Sequence, residues 1–262
     1  MKIIRFSYQE EIRYGKLSDN QVYKIKGDIF SNYQITSEKI PLKDVKLLSP
    51  VQPPNIIAIG INYKKHAKES GHNLPEKPVI FIKATSSVIG PEDNIVLPKP
   101  APSEVDYEAE LAIIIGKKAK NISKDKVGEY ILGYTCANDV SARDCQRRID
   151  KQWARGKSFD TFCPLGPWIE TELLADHCSI KSRLNNQSMQ DSNTSDLIFD
   201  TSELVSYISE NMTLLPGTII LTGTPEGVGF ARKPAVFLQN GDIIEIEIDG
   251  IGVLKNKVIV EK

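Results

Sequence analysis

The chain has 262 residues, of which 40% are hydrophobic and 26% charged, the composition of an ordinary globular protein. With a net charge of -1 and no basic block, we expect no binding to nucleic acid or to an anionic membrane surface. No apolar run approaches the roughly 20 residues that span a bilayer, and the N-terminus becomes polar too soon for a signal peptide. The four cysteines form no C-x-x-C motif and indicate free thiols, so we expect a cytoplasmic protein.

Residues 1–50 are expected to form a small β domain without chemistry of its own. Two loosely alternating stretches flank the polar turn Ser18–Asn20, a pattern typical of a hairpin. The segment Ser49–Pro54 contains three prolines, which forbid helix and ladder pairing, and it is predicted as a linker. The chain is therefore divided into an N-terminal β domain, residues 1–50, and a larger domain, residues 51–262.

A polar stretch after the short predicted strand Ile56–Ile59 is expected to form one or two helical turns that stop at Gly71. His66 and Glu69 would share a face of that helix, where a carboxylate raises the basicity of an imidazole, as a general base requires. A solvated pair on a surface turn explains the same spacing. The next predicted strand, Pro78–Lys83, ends in a lysine that is either solvated or directed at an anion.

A pair of glutamates stands at the mouth of a strongly apolar predicted strand, Leu111–Ile115. Glu108 and Glu110 fall on one face of an extended chain, because side chains repeat with period two. Neighbouring carboxylates repel each other and lose hydration there, and a divalent cation commonly relieves this. The spacing alone carries little information, since Glu245 and Glu247 repeat it on a predicted C-terminal hairpin, where we expect them to face water.

A second acidic position follows the predicted strand Tyr130–Ala137, and the stretch after it, Val140–Arg147, is expected to be helical. Asp139, Arg143 and Gln146 would fall near one face of this helix, at spacings of four and three. An acid at a strand end, with a basic and an amide partner behind it, is typical of a functional site. A capping aspartate with an i, i+4 ion pair explains the pattern equally well.

The remaining segments are predicted from their glycines, prolines and periodicity. Trp153 to Trp168 is predicted as a loop, on which Lys157 is either an anion clamp or an ordinary surface lysine. Thr201–Asn211 is predicted as an amphipathic helix that packs on the core. The glycine-rich loop Thr222–Gly229 exposes amide groups that can approach an anion closely, although it lacks the lysine of a P-loop.

Six segments, taken together and in order, resemble the fumarylacetoacetate hydrolase family in its smaller, single-module branch, from about residue 50 to residue 262. They are G-I-N-Y-K-K-H-A-K-E, F-I-K, D-Y-E-A-E, N-D-V-S-A-R-D-C-Q, G-K-S-F-D-T-F-C-P-L-G-P-W and L-T-G-T-P-E-G-V-G. The resemblance implies an α+β protein that is mainly β with a few short helices, built as a mixed β-roll or barrel-like core and usually paired as a homodimer. It also implies a Mg²⁺ or Mn²⁺ site whose ligands map onto Glu108, Glu110 and Asp139.

The same resemblance assigns roles to the other polar residues. It implies catalytic roles for His66, Glu69 and Lys157, and substrate contacts for Arg143, Gln146 and Thr224. These roles favour the functional reading wherever the spacing left an alternative open. No acid stands within residues 55–65, and the N-terminal part is shorter than in fumarylacetoacetate hydrolase itself, so fumarylacetoacetate is not the expected substrate.

The resemblance thus implies a divalent-metal-dependent enzyme that acts on small 2-oxo acids through a metal-stabilised enolate. C–C bond hydrolysis or decarboxylation of acylpyruvate- or oxaloacetate-type substrates is the first expectation. One alternative is an isomerase, tautomerase or hydratase of 2-oxo-enoic diacids of the 2-hydroxyhepta-2,4-diene-1,7-dioate type. A second alternative is a catalytically inactive protein that binds metal or a 2-oxo acid. Residues 62–76 are expected to act as a lid over bound substrate.

Overall fold

The computed structural model describes residues 1–261, and in this range the protein has nineteen strands and three α-helices. The strands are β1 (Lys2–Tyr8), β2 (Glu11–Ser18), β3 (Gln21–Gly27), β4 (Tyr33–Pro41), β5 (Lys46–Leu47), β6 (Ile56–Gly60), β7 (Val79–Lys83), β8 (Val88–Ile89), β9 (Asn94–Leu97), β10 (Val105–Asp106), β11 (Ala109–Ile115), β12 (Ile131–Asn138), β13 (Ser141–Ala142), β14 (Cys163–Glu170), β15 (Ser179–Leu184), β16 (Gln187–Asn193), β17 (Ile219–Leu221), β18 (Ile243–Ile248) and β19 (Gly252–Val260). The α-helices are α1 (Lys64–Glu69), α2 (Trp153–Lys157) and α3 (Thr201–Asn211). Short 3-10 helices lie at Leu42–Asp44, Thr85–Ser87, Lys124–Glu129, Ala175–His177, Thr194–Asp196 and Gly229–Ala231, and a π-helical turn lies at Cys145–Ile149. The prediction of a mainly β protein with few short helices is confirmed.

The largest sheet has twelve strands and carries the N-terminal strands at one end. Its main path runs β4-β3-β2-β1-β14-β12-β11-β17-β6-β7, with β5 paired to β1 and β8 paired to β14. Strand β1 pairs antiparallel with β14, with Lys2 opposite Glu170, so residues 1–50 extend the sheet formed by the rest of the chain. The division of the chain into residues 1–50 and 51–262 stays a prediction.

Strand β11 lies at the centre of this sheet, between β12 and β17, and all seven of its residues are buried. Its side chains alternate between the two faces, as the two-residue period of a strand requires. Ile113 packs in the same cluster as α3, whereas Ala112 and Ile114 pack in the cluster on the opposite face. The same alternation directs Glu110 to the side of Ala112 and Ile114.

Helix α3 forms over the residues predicted for it, and it covers one face of the large sheet. The Asp200 carboxylate accepts the N–H of Glu203 at 2.7 Å, which satisfies one of the free amides of the first turn. Leu204, Val205 and Ile208 are fully buried in the cluster formed with β11 and β17. Burial of side chains of this size stabilises the fold by about 1.5–3 kcal/mol each. Among the described residues, no helix is both long and apolar enough to cross a membrane.

A second sheet of five strands, in the order β16-β15-β18-β19-β9, contains the predicted C-terminal hairpin. Strands β18 and β19 pair antiparallel, with Ile246 opposite Leu254, and both side chains are buried. Glu245 and Glu247 lie on the other face of β18, where both form ion pairs with Arg183 of β15. Glu245 and Glu247 therefore contact an arginine as well as water, and within residues 1–261 they do not join a third acid in a group that could hold a metal.

Two segments differ from their predicted structure. The stretch Val140–Arg147, predicted as a helix, contains strand β13 and the start of the π-helical turn, because β13 pairs with β10. The stretch from Trp153 to Trp168, predicted as a loop, contains helix α2 and most of strand β14. Strand β14 pairs with both β12 and β1, and these long-range pairings outweigh the local effect of its glycine and prolines.

Candidate active site

Three buried carboxylates come together where β11 begins and β12 ends. Glu108 directly precedes β11, Glu110 is its second residue, and Asp139 directly follows β12. The two strands are antiparallel, with Ala109 opposite Asn138, so the start of one meets the end of the other. One carboxylate oxygen from each of the three acids lies within 4.8 Å of the other two. The predicted ligand set therefore forms a single group, which we call the carboxylate cluster.

Three buried cations neutralise most of the charge of the carboxylate cluster. The ammonium of Lys157 donates to Glu108 Oε2 and to Asp139 Oδ2, at 2.6 Å each. The Arg143 guanidinium donates to Glu108 Oε1 at 2.7 Å, and the Lys83 ammonium donates to Asp139 Oδ1. Glu108 and Asp139 are thus each held by two cations, and neither lysine is a surface residue.

Glu110 is the member of the carboxylate cluster that forms no ion pair within residues 1–261. It is 1% exposed, and its Oε2 accepts the backbone N–H of Gly223 at 2.7 Å. Burial, followed by the negative charges of Asp139 and Glu108, raises the pKa of Glu110 well above its ordinary value. Burial acts on Glu108 in the same direction, but the ammonium and guanidinium beside it prevail, and the pKa of Glu108 is lowered. Glu110 is therefore the carboxylate whose ionised form is not neutralised by a cation from residues 1–261.

The donor set fits a hard divalent cation. With Asp106 included, four buried carboxylates face three buried cations, which leaves one negative charge uncompensated when all of them are ionised. Carboxylate oxygens are the ligands that Mg²⁺ and Mn²⁺ prefer, whereas zinc sites are usually built from nitrogen and sulfur. Glu108, Glu110 and Asp139 would hold the ion, and three protein ligands leave coordination positions open.

Asp106, for which the sequence predicts no role, supports the site by accepting hydrogen bonds from Arg143 and from the glycine-rich loop. Its carboxylate is fully buried and accepts Arg143 Nε at 2.9 Å. It also accepts the backbone N–H groups of Gly229 and Phe230, at 2.8 and 3.0 Å. Asp106 therefore orients Arg143 and ties it to the glycine-rich loop. The sequence feature that points to Asp106 is its position two residues before Glu108, which places it on the same face of an extended chain as Glu108 and Glu110.

Lys83, whose environment the sequence left open, belongs to the site. Its side chain is buried, and besides Asp139 its ammonium donates to the carbonyl oxygen of Phe162 at 3.0 Å. Lys83 is not among the residues that line the cavity described below. Lys83 therefore positions Asp139 from within the protein interior and does not face the cavity.

His66 and Glu69 lie on α1 and contact each other, as predicted. His66 Nδ1 and Glu69 Oε2 are 3.2 Å apart, and His66 is only 8% exposed, whereas Glu69 is an exposed residue, so the imidazole is the shielded member of the pair. The Glu69 carboxylate also accepts the backbone N–H of Gly227 at 2.9 Å, so α1 is joined to the glycine-rich loop. The contact through Nδ1 orients the imidazole and leaves its Nε2 for other chemistry.

A cavity of about 400 Å³ opens above the carboxylate cluster, a volume within the usual range for small-molecule sites. Eight of the nine predicted site residues line it. The ninth, Glu69, does not line the cavity but contacts His66, which does. The eight are His66, Glu108, Glu110, Asp139, Arg143, Gln146, Lys157 and Thr224. The structure therefore brings together residues that are spread over more than 150 positions of the sequence.

Gln146 and Thr224, the residues predicted to contact substrate through an amide and a hydroxyl group, already form hydrogen bonds with other parts of the protein. Gln146 Oε1 accepts Arg143 Nη1 at 2.9 Å, which leaves the Gln146 amide nitrogen for a ligand. The Thr224 hydroxyl donates to Ala109 O at 2.9 Å and accepts from Gln190 Nε2 at 2.8 Å. Since its one proton is committed to the fold, Thr224 can meet a ligand only as an acceptor or through its backbone. Gln190 was not identified from the sequence.

Comparison with known proteins decides the family. Residues 55–259 match the family model described as fumarylacetoacetate (FAA) hydrolase C-terminal. The chain belongs to the fumarylacetoacetate hydrolase family. Residues 1–50 match a second model, described as Rv2993c-like, N-terminal. Among curated relatives, the mitochondrial oxaloacetate tautomerase Fahd2a of Rattus norvegicus is 48% identical over 224 residues, which cover 84% of this chain and 71% of the relative.

Solved structures of the family are similar over the whole chain. The 5-carboxymethyl-2-hydroxymuconate delta-isomerase of Mycobacterium smegmatis is 42% identical, with a TM-score of 0.91 and full coverage of both chains. The 2-hydroxyhepta-2,4-diene-1,7-dioate isomerase of Mycobacterium marinum is 38% identical, with a TM-score of 0.89, and the match covers 100% of this chain and 99% of that one. The predicted family is confirmed, and the chain is an enzyme of this family. The roles of its individual residues stay predictions.

Proposed function

We propose that this protein is a divalent-metal-dependent enzyme that converts 2-oxo acids through an enolate. The observation that carries the proposal is Glu110, a buried carboxylate without an ion pair within residues 1–261, beside two carboxylates whose cations are fixed. A Mg²⁺ or Mn²⁺ ion held by Glu108, Glu110 and Asp139 would supply positive charge to the developing enolate oxygen, which is worth several kcal/mol of barrier.

The fixed cations of the cavity would bind the carboxylate of the substrate. Arg143 and Lys157 both line the cavity, and each is already oriented by buried carboxylates. Because these donors are held before substrate arrives, little reorganisation is needed when charge develops. The amide nitrogen of Gln146, next to Arg143, adds a neutral donor. This arrangement favours small anionic substrates.

His66, oriented by Glu69, is proposed as the group that moves a proton. With His66 as base, a water molecule loses its proton and attacks the distal carbonyl carbon, and the C–C bond breaks to release a pyruvate enolate. With no attacking water, a β-carboxylate instead leaves as CO₂, and the electrons of the broken bond form the enolate. Hydrolysis depends on the base, whereas decarboxylation depends mainly on stabilisation of the enolate.

The relatives favour a second outcome at the same site. One relative is named an oxaloacetate tautomerase, and two similar structures are named as isomerases of larger unsaturated acids with more than one carboxylate. In such a reaction, His66 would remove a proton from one atom of the substrate and return it to another. Tautomerisation or isomerisation of 2-oxo diacids therefore stands beside hydrolysis and decarboxylation. A protein that only binds metal or a 2-oxo acid would have no need of a base positioned as His66 is.

A side-by-side assay separates these outcomes. Acetylpyruvate, oxaloacetate and 2-hydroxyhepta-2,4-diene-1,7-dioate are offered with Mg²⁺ or Mn²⁺, and EDTA is the control. We expect metal-dependent turnover of at least one of them. In His66→Ala, hydrolysis is expected to fall by about 10²–10⁴-fold, whereas decarboxylation survives in part. His177→Ala, at an exposed histidine, is the matched control. No turnover of any of the three would contradict the proposal and favour a binding protein.

We also propose a homodimer that works in a reducing, cytoplasmic compartment. The four cysteines are free and buried, which fits a compartment without disulfide formation. The dimer rests on the family resemblance, and sedimentation equilibrium of the purified protein tests it. We expect a mass of twice 29.2 kDa, and a single species at 29.2 kDa would contradict the dimer.

A further inference from the structure

A second group of positive charges lies at the mouth of the cavity, outside the carboxylate cluster. Four basic residues occupy the span 147–155, namely Arg147, Arg148, Lys151 and Arg155. Arg148 pairs with Glu104 at 2.5 Å, and Arg155 pairs with Asp150. Arg147 and Lys151 form no ion pair with any residue from 1 to 261, and these two are the ones that line the cavity. Arg147 and Lys151 are both exposed, so their charges are accessible to an anion that enters the cavity.

Phe230 holds Arg147 beside Arg143 at the cavity wall. The guanidinium carbon of Arg147 lies 4.1 Å from the centroid of the Phe230 ring, and that of Arg143 lies 4.4 Å from the same centroid. Both contacts are favourable cation–π interactions, but the two cations repel each other. Burial and the positive charge of Arg143 lower the pKa of Arg147. Arg143 pairs directly with Asp106 and Glu108, whereas within residues 1–261 Arg147 forms no ion pair and feels these two carboxylates only at longer range.

One substrate molecule can reach from the carboxylate cluster to these charges. Because Arg143 and Arg147 contact the same ring, their guanidinium carbons are no further apart than the sum of the two distances. Arg143 in turn donates to Glu108 of the carboxylate cluster at 2.7 Å. Lys151 is placed at the mouth by a left-handed backbone conformation, with φ of 53°, between the π-helical turn and α2. The cavity of about 400 Å³ connects all of them.

We propose that Arg147 and Lys151 form a second anion subsite, which binds the distal carboxylate of a dianionic 2-oxo acid. This inference rests on the proposed function, because the 2-oxo acid end of the substrate must lie at the carboxylate cluster. We call Arg147 and Lys151 the mouth subsite. A monoanionic acylpyruvate would leave both of its positive charges unpaired, whereas the distal carboxylate of a 2-oxo diacid would pair with them. Hydrogen bonds between charged groups are stronger than neutral ones, and we expect diacids to be preferred by at least about tenfold.

The test compares kcat/KM for oxaloacetate, a dianion, with kcat/KM for acetylpyruvate, a monoanion. In Arg147→Gln and in Arg147→Gln/Lys151→Gln, we expect the ratio of the two values to fall by about tenfold or more, mainly through the KM of the dianion. Arg147→Lys, which keeps the charge, should retain part of the preference. Arg148→Gln removes the neighbouring arginine that pairs with Glu104, and its ratio should match that of the wild type. An unchanged ratio in the double variant would overturn the inference.

Calorimetric binding separates a failure of this inference from a failure of the proposed function. 2-Oxoglutarate and 2-oxobutyrate, which differ by a distal carboxylate, are titrated into the Mn²⁺-loaded protein, so no turnover is needed. Tighter binding of 2-oxoglutarate that is lost in the double variant supports the mouth subsite, even where no substrate is turned over. Turnover of oxaloacetate together with equal affinities for the two probes would remove the mouth subsite and leave the proposed function standing.

Discussion

Replacing Lys83 with methionine removes a buried charge that holds the site together without touching the cavity. Lys83 is 1% exposed, and its ammonium donates to Asp139 Oδ1 and to the carbonyl oxygen of Phe162. Methionine is unbranched and adaptable, so it fills most of the same space without the charge. Lys157 still pairs with the other oxygen of Asp139, at 2.6 Å. The variant therefore loses one of the two cations that hold a buried carboxylate.

The expected loss of stability follows from the burial of this pair. Removing one partner of a buried ion pair costs about 3–5 kcal/mol, because the other charge is left uncompensated. Since Lys157 remains, we expect Lys83→Met to lower the free energy of unfolding by about 3 kcal/mol, at the lower end of that range. For a chain of this size, a loss of that magnitude lowers the melting temperature by roughly 6 °C or more.

The measurement is urea unfolding followed by circular dichroism at pH 7, with EDTA present so that metal binding does not contribute. Lys24→Met is the matched control, because Lys24 pairs with Glu38 at 2.6 Å on the surface, and we expect it to cost less than about 1 kcal/mol. In a double-mutant cycle, Lys83→Met and Asp139→Asn together should cost less than the sum of the single changes.

Equal losses in Lys83→Met and Lys24→Met would refute this reasoning, since burial would then add nothing to the pair. Strict additivity with Asp139→Asn would refute it as well, because the two residues would not be coupled. Either result would remove Lys83 from the group of residues that position the carboxylate cluster.

Two further predictions concern the backbone and the thiols. In Gly223→Ala, φ is 98° and the new Cβ would lie 2.8 Å from Asn62 Cβ, so we expect a loss of about 1–3 kcal/mol in urea unfolding and weaker Mn²⁺ binding. Gly71→Ala has open space and should leave Mn²⁺ binding unchanged. Burial raises the pKa of the Cys163 thiol to about 12, so this thiol stays protonated at pH 8. We expect iodoacetamide to label it only after unfolding, and labelling of the native protein at the unfolded rate would contradict this.

The elements that the sequence predicts well are those that local interactions decide. Helix α3 has its capping Asp200 and an apolar stripe that includes Leu204 and Ile208, and it spans the predicted residues. The C-terminal hairpin forms around its Asp-Gly turn, with β18 and β19 on either side. In both cases the residues that determine the structure lie within a few positions of each other.

The contacts of the site could not be predicted in this way. Arg143 was expected to act with Asp139 on one helix face, yet its guanidinium bonds to Glu108 and Asp106, which stand 35 and 37 positions earlier. Lys83 meets Asp139 across 56 positions. Such partners are determined by which strands pair and in what register, and periodicity does not report this. The family resemblance, and not the spacing, indicated which polar residues gather around the carboxylate cluster.

Binding of Mn²⁺ to the wild type and to Glu110→Gln, measured by electron paramagnetic resonance, tests the central claim most directly. We predict one Mn²⁺ per chain in the wild type and an affinity at least about 100-fold lower in Glu110→Gln, because one of three carboxylate ligands is lost. Glu245→Gln removes the first glutamate of the same spacing on the C-terminal hairpin and should bind as the wild type does. Equal binding by Glu110→Gln and the wild type would contradict a metal site at the carboxylate cluster.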